Sequence, residues 1–302
     1  MSAAAPKTVL ITGTSSGIGY EAAGLFHRAG WNVVATVRTD PVSCSLPKDG
    51  RMKVLRLDLS EPETIESTAH QAIEAFGSID VLVNNAGYFQ MGPLETSTMR
   101  QIREQFETNF FGLVALTKAV LPHMRRQLSG VVVNVSSLSA ENGYPFASVY
   151  SASKAAVMAL TEGLSIELDA LNISVKAVLP GQHATRIFTK IDAAPSLPAE
   201  YQPLLDHFIR MQSSTGGSSP AGAAQAILTA ATDGRRDRVR YFVGADAEGI
   251  PLMKRLLGVH GYFSFFRKTV LQGPGPVLRK LAPKLREKVD VDTSIFERWS
   301  RG

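Results

Sequence analysis

A doubly wound parallel α/β sheet is the fold this sequence predicts, on three observations. Short β-branched and apolar runs alternate with longer stretches of helical spacing from the start of the chain to about residue 245. The runs are apolar almost throughout rather than at every second residue, as strands covered on both faces must be. The first run enters a glycine-rich turn and then, at once, a helical pattern. In such sheets ligands gather at the carboxyl ends of the strands.

Taken in order, 8–12, 32–37, 52–57, 81–83, 131–135 and 173–179 read as strands, and 18–29, 62–76, 98–128 and 151–171 as helices. Residues 181–222 break the rhythm with Pro195, Pro198, Pro203 and a Ser/Gly-rich run, so they read as a mobile loop serving as a substrate lid. A helix at 221–231 and a strand near 240–243 restore the pattern. One catalytic domain over 1–250 is therefore expected, followed by a basic, partly helical extension over 251–302.

The 302 residues, 44% hydrophobic and 20% charged, suffice for one full core. The net charge of +5 is unevenly spread: residues 251–302 hold 11 Lys/Arg against 4 Asp/Glu, leaving −2 over residues 1–250. Basicity thus belongs to the tail, and no interleaving of basic and aromatic residues marks a nucleic-acid module. The single cysteine, Cys44, excludes an intrachain disulfide and suits a reducing, cytoplasmic location; it reads as an ordinary thiol. No secretory signal is expected, and no apolar run reaches the ~18 residues of a membrane span.

The turn Thr12-Gly-Thr-Ser-Ser-Gly-Ile-Gly19 places Gly13, Gly17 and Gly19 around Ser15, Ser16 and Ile18. Glycines there permit a tight turn and close approach of backbone amides to a pyrophosphate, which the following helix N-terminus also attracts. The same residues satisfy Gly-x-Ser-x-Gly, the nucleophile elbow of serine hydrolases, which makes Ser15 a rival nucleophile. No downstream His and Asp are marked out to complete its triad. Where an acidic residue at the end of the second strand would bind the ribose of NAD, this chain has Arg38, whose guanidinium can pair with a 2′-phosphate; NADP(H) is the expected cofactor.

Tyr150 and Lys154 lie one helical turn apart, so an ammonium can stabilise a phenolate and bring its pKa toward neutrality. Ser137, just beyond a strand, can face the same pocket and hydrogen-bond a developing alkoxide.

Together these residues resemble the short-chain dehydrogenase/reductase family over about residues 7–250, within its NADP(H)-preferring subset. The matches are the glycine turn, Asp58, Asn84-Asn-Ala-Gly87, Asn109, Ser137, Tyr150, Lys154 and Pro180-Gly-x3-Thr185. The resemblance implies a Rossmann-type fold and hydride transfer between NADP(H) and a ketone, aldehyde or alcohol. It makes Tyr150 the general acid/base, aided by Lys154, with Ser137 on the carbonyl and Asn109 holding a relay water. Asp58 and Leu59 would meet the adenine end, Asn85, Ala86 and Gly87 would line the cofactor, and Pro180, Gly181 and Thr185 would contact the nicotinamide side. A homodimer or homotetramer through the long helices is implied. A non-catalytic NADP(H)-binding sensor or scaffold is the alternative, and the intact Ser-Tyr-Lys-Asn set argues against it.

For the substrate, Tyr144, Phe146, His183 and Phe188 join Ser137 and Tyr150 as candidates; Tyr88, Phe89, Tyr144 and Phe146 read either as a wall for an apolar, steroid- or retinoid-like carbonyl compound or as core or interface packing. His183 reads first as a plain loop histidine and only second as a substrate contact. The six histidines show no ligand spacing, so no metal is expected. The tail segments 252–257 and 277–286 mix apolar and basic residues; packing on the protein's own surface is expected ahead of membrane contact.

Overall fold

The computed structural model describes residues 6–41, 45–181, 192–215 and 219–272, the side chains of 210–215 and 272 excepted. In chain order the elements are β1 (Thr8–Ile11), α1 (Gly17–Arg28), β2 (Asn32–Val37), β3 (Met52–Arg56), α2 (Pro62–Phe76), β4 (Val81–Asn84), β5 (Gln90–Met91), α3 (Met99–Phe106), α4 (Gly112–Gln127), β6 (Gly130–Val135), α5 (Ser148–Glu167), β7 (Ile173–Pro180), β8 (Asp192–Ala193), α6 (Gln202–Thr215), α7 (Pro220–Thr232), β9 (Arg240–Val243) and α8 (Ala245–Gln272).

Seven strands form one sheet, ordered β3-β2-β1-β4-β6-β7-β9 and parallel at every pairing. The order reverses between β1 and β4, which opens a crevice at their carboxyl ends. α1 and α7 cover one face through Ala22, Phe26, Ala224 and Ile227 against Val9, Ile11 and Val33. On the other face, α2, α4 and α5 bring Ile65, Leu116, Val120 and Leu168 onto Leu10, Leu82 and Val132.

A buried polar ladder crosses this second layer. Asn84 and Asn134 face each other in the β4–β6 register, and the Asn84 amide donates to Asn134 (2.9 Å) and to Thr117 on α4 (3.0 Å). Asn134 donates in turn to Thr161 on α5 (2.9 Å). The amide NH2 groups of Asn84 and Asn134 donate to fixed neighbours, so the two strands and two helices hold one relative position, while the Asn84 Oδ1 is buried without a partner among the described residues.

Three departures from the expected layout have physical causes. Within 181–222, the described part is not a simple loop: Asp192 and Ala193 pair with β5, and α6 packs Leu205 and Phe208 into a cluster with Phe89, Phe146 and Tyr150. Pro203, which argues against a helix interior, is the second residue of α6, where a missing N–H costs nothing. The helix expected over 98–128 is α3 and α4 joined by a π-helical turn, Glu107–Phe111. Finally, α8 runs through the boundary drawn at residue 250 and bends at Gly258 (φ 66°). Cys44 and 277–286 lie outside the described residues.

One buried ion pair braces the β7 side. The Lys176 ammonium, 3% exposed, donates to Asp233 (2.6 Å) and to the Ala230 carbonyl (2.8 Å), while the Tyr241 hydroxyl donates to the same carboxylate (2.6 Å). Asp233→Asn would leave the ammonium buried without a counter-charge. Denaturant unfolding should show a loss of about 3 kcal/mol, largely restored by adding Lys176→Met.

Candidate active site

Two loops at the crevice are locked to each other. The Thr12 hydroxyl accepts from the Asn85 and Ala86 amides (both 2.9 Å), and the Asn85 side chain donates to the carbonyls of Thr12 (2.8 Å) and Gly13 (3.2 Å). Contact this close demands glycine. Gly13 has φ +72°, and a Cβ on it would stand 2.8 Å from Ala86 Cα; a Cβ on Gly19 would strike the Gly13 carbonyl and the Asn85 amide. The N-terminus of α1 carries no side-chain cap, so its amides remain available to an anion, and this open end fits a pyrophosphate.

From this turn a cleft of about 400 Å³ runs across the sheet's carboxyl edge. Gly13, Ser15, Ser16, Gly17, Ile18, Arg38, Asp58, Leu59, Asn85, Ala86 and Gly87 line one end. Ser137, Tyr144, Tyr150, Lys154, Pro180 and Gly181 line the other. Arg38 is exposed at the rim. Burial works to raise the Asp58 pKa, but the Ser60 hydroxyl (2.6 Å) and amide (3.0 Å), with Arg38 and Arg56, hold it below the usual carboxylate value.

The reactive end is built on α5. Tyr150 and Lys154 are both buried, and the ammonium sits 5.9 Å from the phenol ring centre while donating to the Val135 carbonyl (2.9 Å). Ser136, at the end of β6, donates to the Lys154 carbonyl (3.0 Å) and pins this turn of the helix there, while Ser153 donates to the Tyr150 carbonyl (2.7 Å) within α5. The Phe89 ring packs on Tyr150 with centres 4.7 Å apart. Burial pushes the Tyr150 phenol up to about 12, and a hydrogen bond from Ser137 offsets part of that. Burial also brings Lys154 down to about 8. Desolvation is thus the larger influence on the phenol, opposing the expected lowering by Lys154.

Asn109 sits in the π-helical turn, 1% exposed and behind the cleft wall. Its side chain accepts from the Tyr88 amide (3.0 Å) and donates to the Tyr88 carbonyl (3.1 Å) and to Ser153 (3.3 Å). It therefore ties the segment after β4 to α5. Gly87 lies against it: a Cβ there would stand 3.0 Å from Asn109 Oδ1 and 3.6 Å from Lys154 Nζ.

Some expected residues sit elsewhere. Gly19 packs under the loop and does not line the cleft. Phe146 is no cleft-wall residue either: its left-handed backbone (φ 61°) turns the ring into the cluster with Tyr201 and Phe208. His183, Thr185 and Phe188 lie outside the described residues. Conversely, Phe208 of α6 lines the cleft although its segment reads as loop, and Asp246 of α8 lines it from beyond the last expected strand. Thr36, Tyr88, Phe89, Thr108 and Leu138 are among its other lining residues. Among the described residues no histidine lines the cleft with Ser15, and no group of three His, Cys, Asp or Glu side chains could hold a metal.

A family model described as short chain dehydrogenase matches residues 7–196. The chain belongs to the short-chain dehydrogenase family. Members similar to it include the 3-ketodihydrosphingosine reductase of Bacteroides thetaiotaomicron, 36% identical over 205 residues that cover 68% of this chain and 74% of the relative. A solved short-chain dehydrogenase from Streptomyces avermitilis superposes with a TM-score of 0.74 at 34% identity, covering 91% of this chain and all of that one. The structure of ElxO with NADP bound superposes at 0.66 with 25% identity, covering 81% and 99%. Family membership makes this protein an oxidoreductase that uses a nicotinamide cofactor, and the cleft between α1 and α5 fits one.

Because folding lowers the Lys154 pKa, the unfolded chain holds that proton more tightly between about pH 8 and the ordinary lysine value near ~10.4. Stability of the cofactor-free protein should gain a contribution as pH rises through that window. Lys154→Met should remove it, flattening this part of a pH series of unfolding curves.

Proposed function

We propose that the protein is an NADP(H)-dependent carbonyl reductase or alcohol dehydrogenase acting on an apolar ketone, aldehyde or secondary alcohol. The observation that carries this reading is a single cleft joining an uncapped helix end and Arg38 to the hydrogen-bonded pair Ser137 and Tyr150 beside Lys154.

The bound cofactor would supply or accept the hydride. The turn from Gly13 to Gly17 and the α1 amides would hold its pyrophosphate, Arg38 its 2′-phosphate, and Asp58 and Leu59 its adenine end. Gly87, whose missing side chain leaves room beside Lys154, would leave the ammonium open to the cofactor's ribose. In reduction, Ser137 and Tyr150 donate to the substrate oxygen, and Tyr150 passes its proton to it. A phenol held near 12 keeps that proton until the oxygen becomes strongly basic. Lys154, charged at neutral pH, then faces the phenolate at short range and stabilises it. In oxidation the same groups run in reverse.

An apolar substrate is supported by Phe89, Leu138, Tyr144 and Phe208 around the reactive end, and by the ketone reduction named for the Bacteroides relative. Steroid- or retinoid-like compounds are of suitable size and polarity. We place the enzyme in the cytoplasm as a homodimer or homotetramer built on α4 and α5.

Two experiments test the reading. Tyr150→Phe should lower kcat by about 10³-fold with cofactor binding retained, as loss of a general acid does; unchanged turnover in stopped-flow assays would refute the mechanism. In calorimetric titrations NADPH should bind in preference to NADH. Arg38→Ala should then weaken NADPH by about tenfold or more and leave NADH unaffected.

A further inference from the structure

The helix α8 has a second face that the cleft does not use. Its inner face is anchored: Tyr262 is buried, Phe266 stacks on it and meets the Tyr144 ring edge-on at 5.6 Å, and Lys254 donates to the Glu141 carbonyl. The helix is therefore held firmly to the domain at the cleft wall.

Its outer side carries large apolar groups in water. Leu256 is 73% exposed, Val259 70% and Phe263 59%, with Leu252 and Leu257 beside them. The bend at Gly258 brings 255–261 to the surface as seven consecutive exposed residues, so these side chains project from a corner and do not line a groove. Scattered apolar residues on a surface need no explanation, but a cluster at a protruding corner does.

Charge identifies the partner. Between Gly249 and Gln272 the chain has four basic residues and no acidic one. Three of them, Arg255, Arg267 and Lys268, are exposed beside the apolar group. In a twofold contact across this corner each copy would offer the other the same basic groups, and 249–272 holds no acidic side chain to meet them. An anionic phospholipid surface meets both needs, offering acyl chains to the leucines, valine and phenylalanine and phosphates to the basic groups. Among the described residues no helix is long and apolar enough to cross a membrane, so the contact is with one leaflet.

We propose that the α8 corner docks on an anionic phospholipid surface, with Leu256, Leu257, Val259 and Phe263 entering the headgroup boundary and Arg255, Arg267 and Lys268 pairing with lipid phosphates. This does not rest on the assigned reaction, because lipid binding is read without turnover. It gives α8 two roles, since the opposite face of the same helix walls the cleft.

The test is sedimentation of the full chain with vesicles of phosphatidylcholine, with and without one quarter phosphatidylserine. The unmodified protein should bind the anionic vesicles. The triple variant Leu256→Asp/Val259→Asp/Phe263→Asp should bind them about tenfold or more weakly, with circular dichroism and NADPH binding unchanged. Arg267→Glu/Lys268→Glu removes no apolar contact and should also weaken binding, which keeps the proposal testable if the triple variant folds poorly. Failure of the unmodified chain to bind anionic vesicles would overturn the proposal, as would equal binding by the Arg267→Glu/Lys268→Glu variant. So would a triple variant that folds normally, binds vesicles undiminished and alters only oligomeric state, which would assign the corner to a second copy.

Discussion

The site depends on the buried ladder of Asn84, Asn134, Thr117 and Thr161. A parallel sheet covered by helices has no intrinsic reason to prefer one helix rotation over its neighbours, because apolar packing is tolerant of small shifts. Amides in the interior are not tolerant: each must meet its partner or bear the cost of burial unpaired. By joining β4 and β6 to α4 and α5, these four side chains set where Asn85, Ser137 and Tyr150 emerge at the sheet's edge. Above them a second set of bonds, from Ser136, Ser153 and Asn109, holds the reactive turn of α5.

This support allows a costly arrangement to persist. A phenol and an ammonium are both stripped of water, and each is driven toward its neutral form. Neither shift favours folding. The ammonium is left closer to giving up its proton, while the phenol keeps its own until it faces an oxygen as basic as a forming alkoxide, as expected where desolvation is kept for chemistry.

Much of this is legible in the amino-acid sequence, and the illegible parts have specific reasons. β2, α2 and β9 have the boundaries that periodicity predicts, and most other strands agree within a residue, because short runs rich in apolar and β-branched residues alternate with longer amphipathic stretches. The glycine turn, Ser137, Tyr150 and Lys154 are recognisable because their spacing is local. α6 is hidden by Pro198 and Pro203, which look like breakers but stand at and before its first turn. The Lys176–Asp233 pair leaves no mark in the sequence, since its two members lie 57 residues apart. Asp246 enters the cleft by direct contact with Gly181, a closeness that only the folded chain creates. Phe146 has an aromatic's usual ambiguity, and a single left-handed residue decides it.

The π-helical turn at Glu107–Phe111 bears on how this chain can change in length. Such a turn holds one residue more than an α-helix needs, and regular hydrogen bonding is restored when that residue is removed. Deleting a single residue here would yield a smoother helix with α4 close to its present register, yet the turn that carries Asn109 would tighten and turn its side chain away. Asn109 would lose Tyr88 and Ser153 together. Insertions and deletions are thus excluded from this helix by the site's geometry, whereas helical stability alone would reward a deletion.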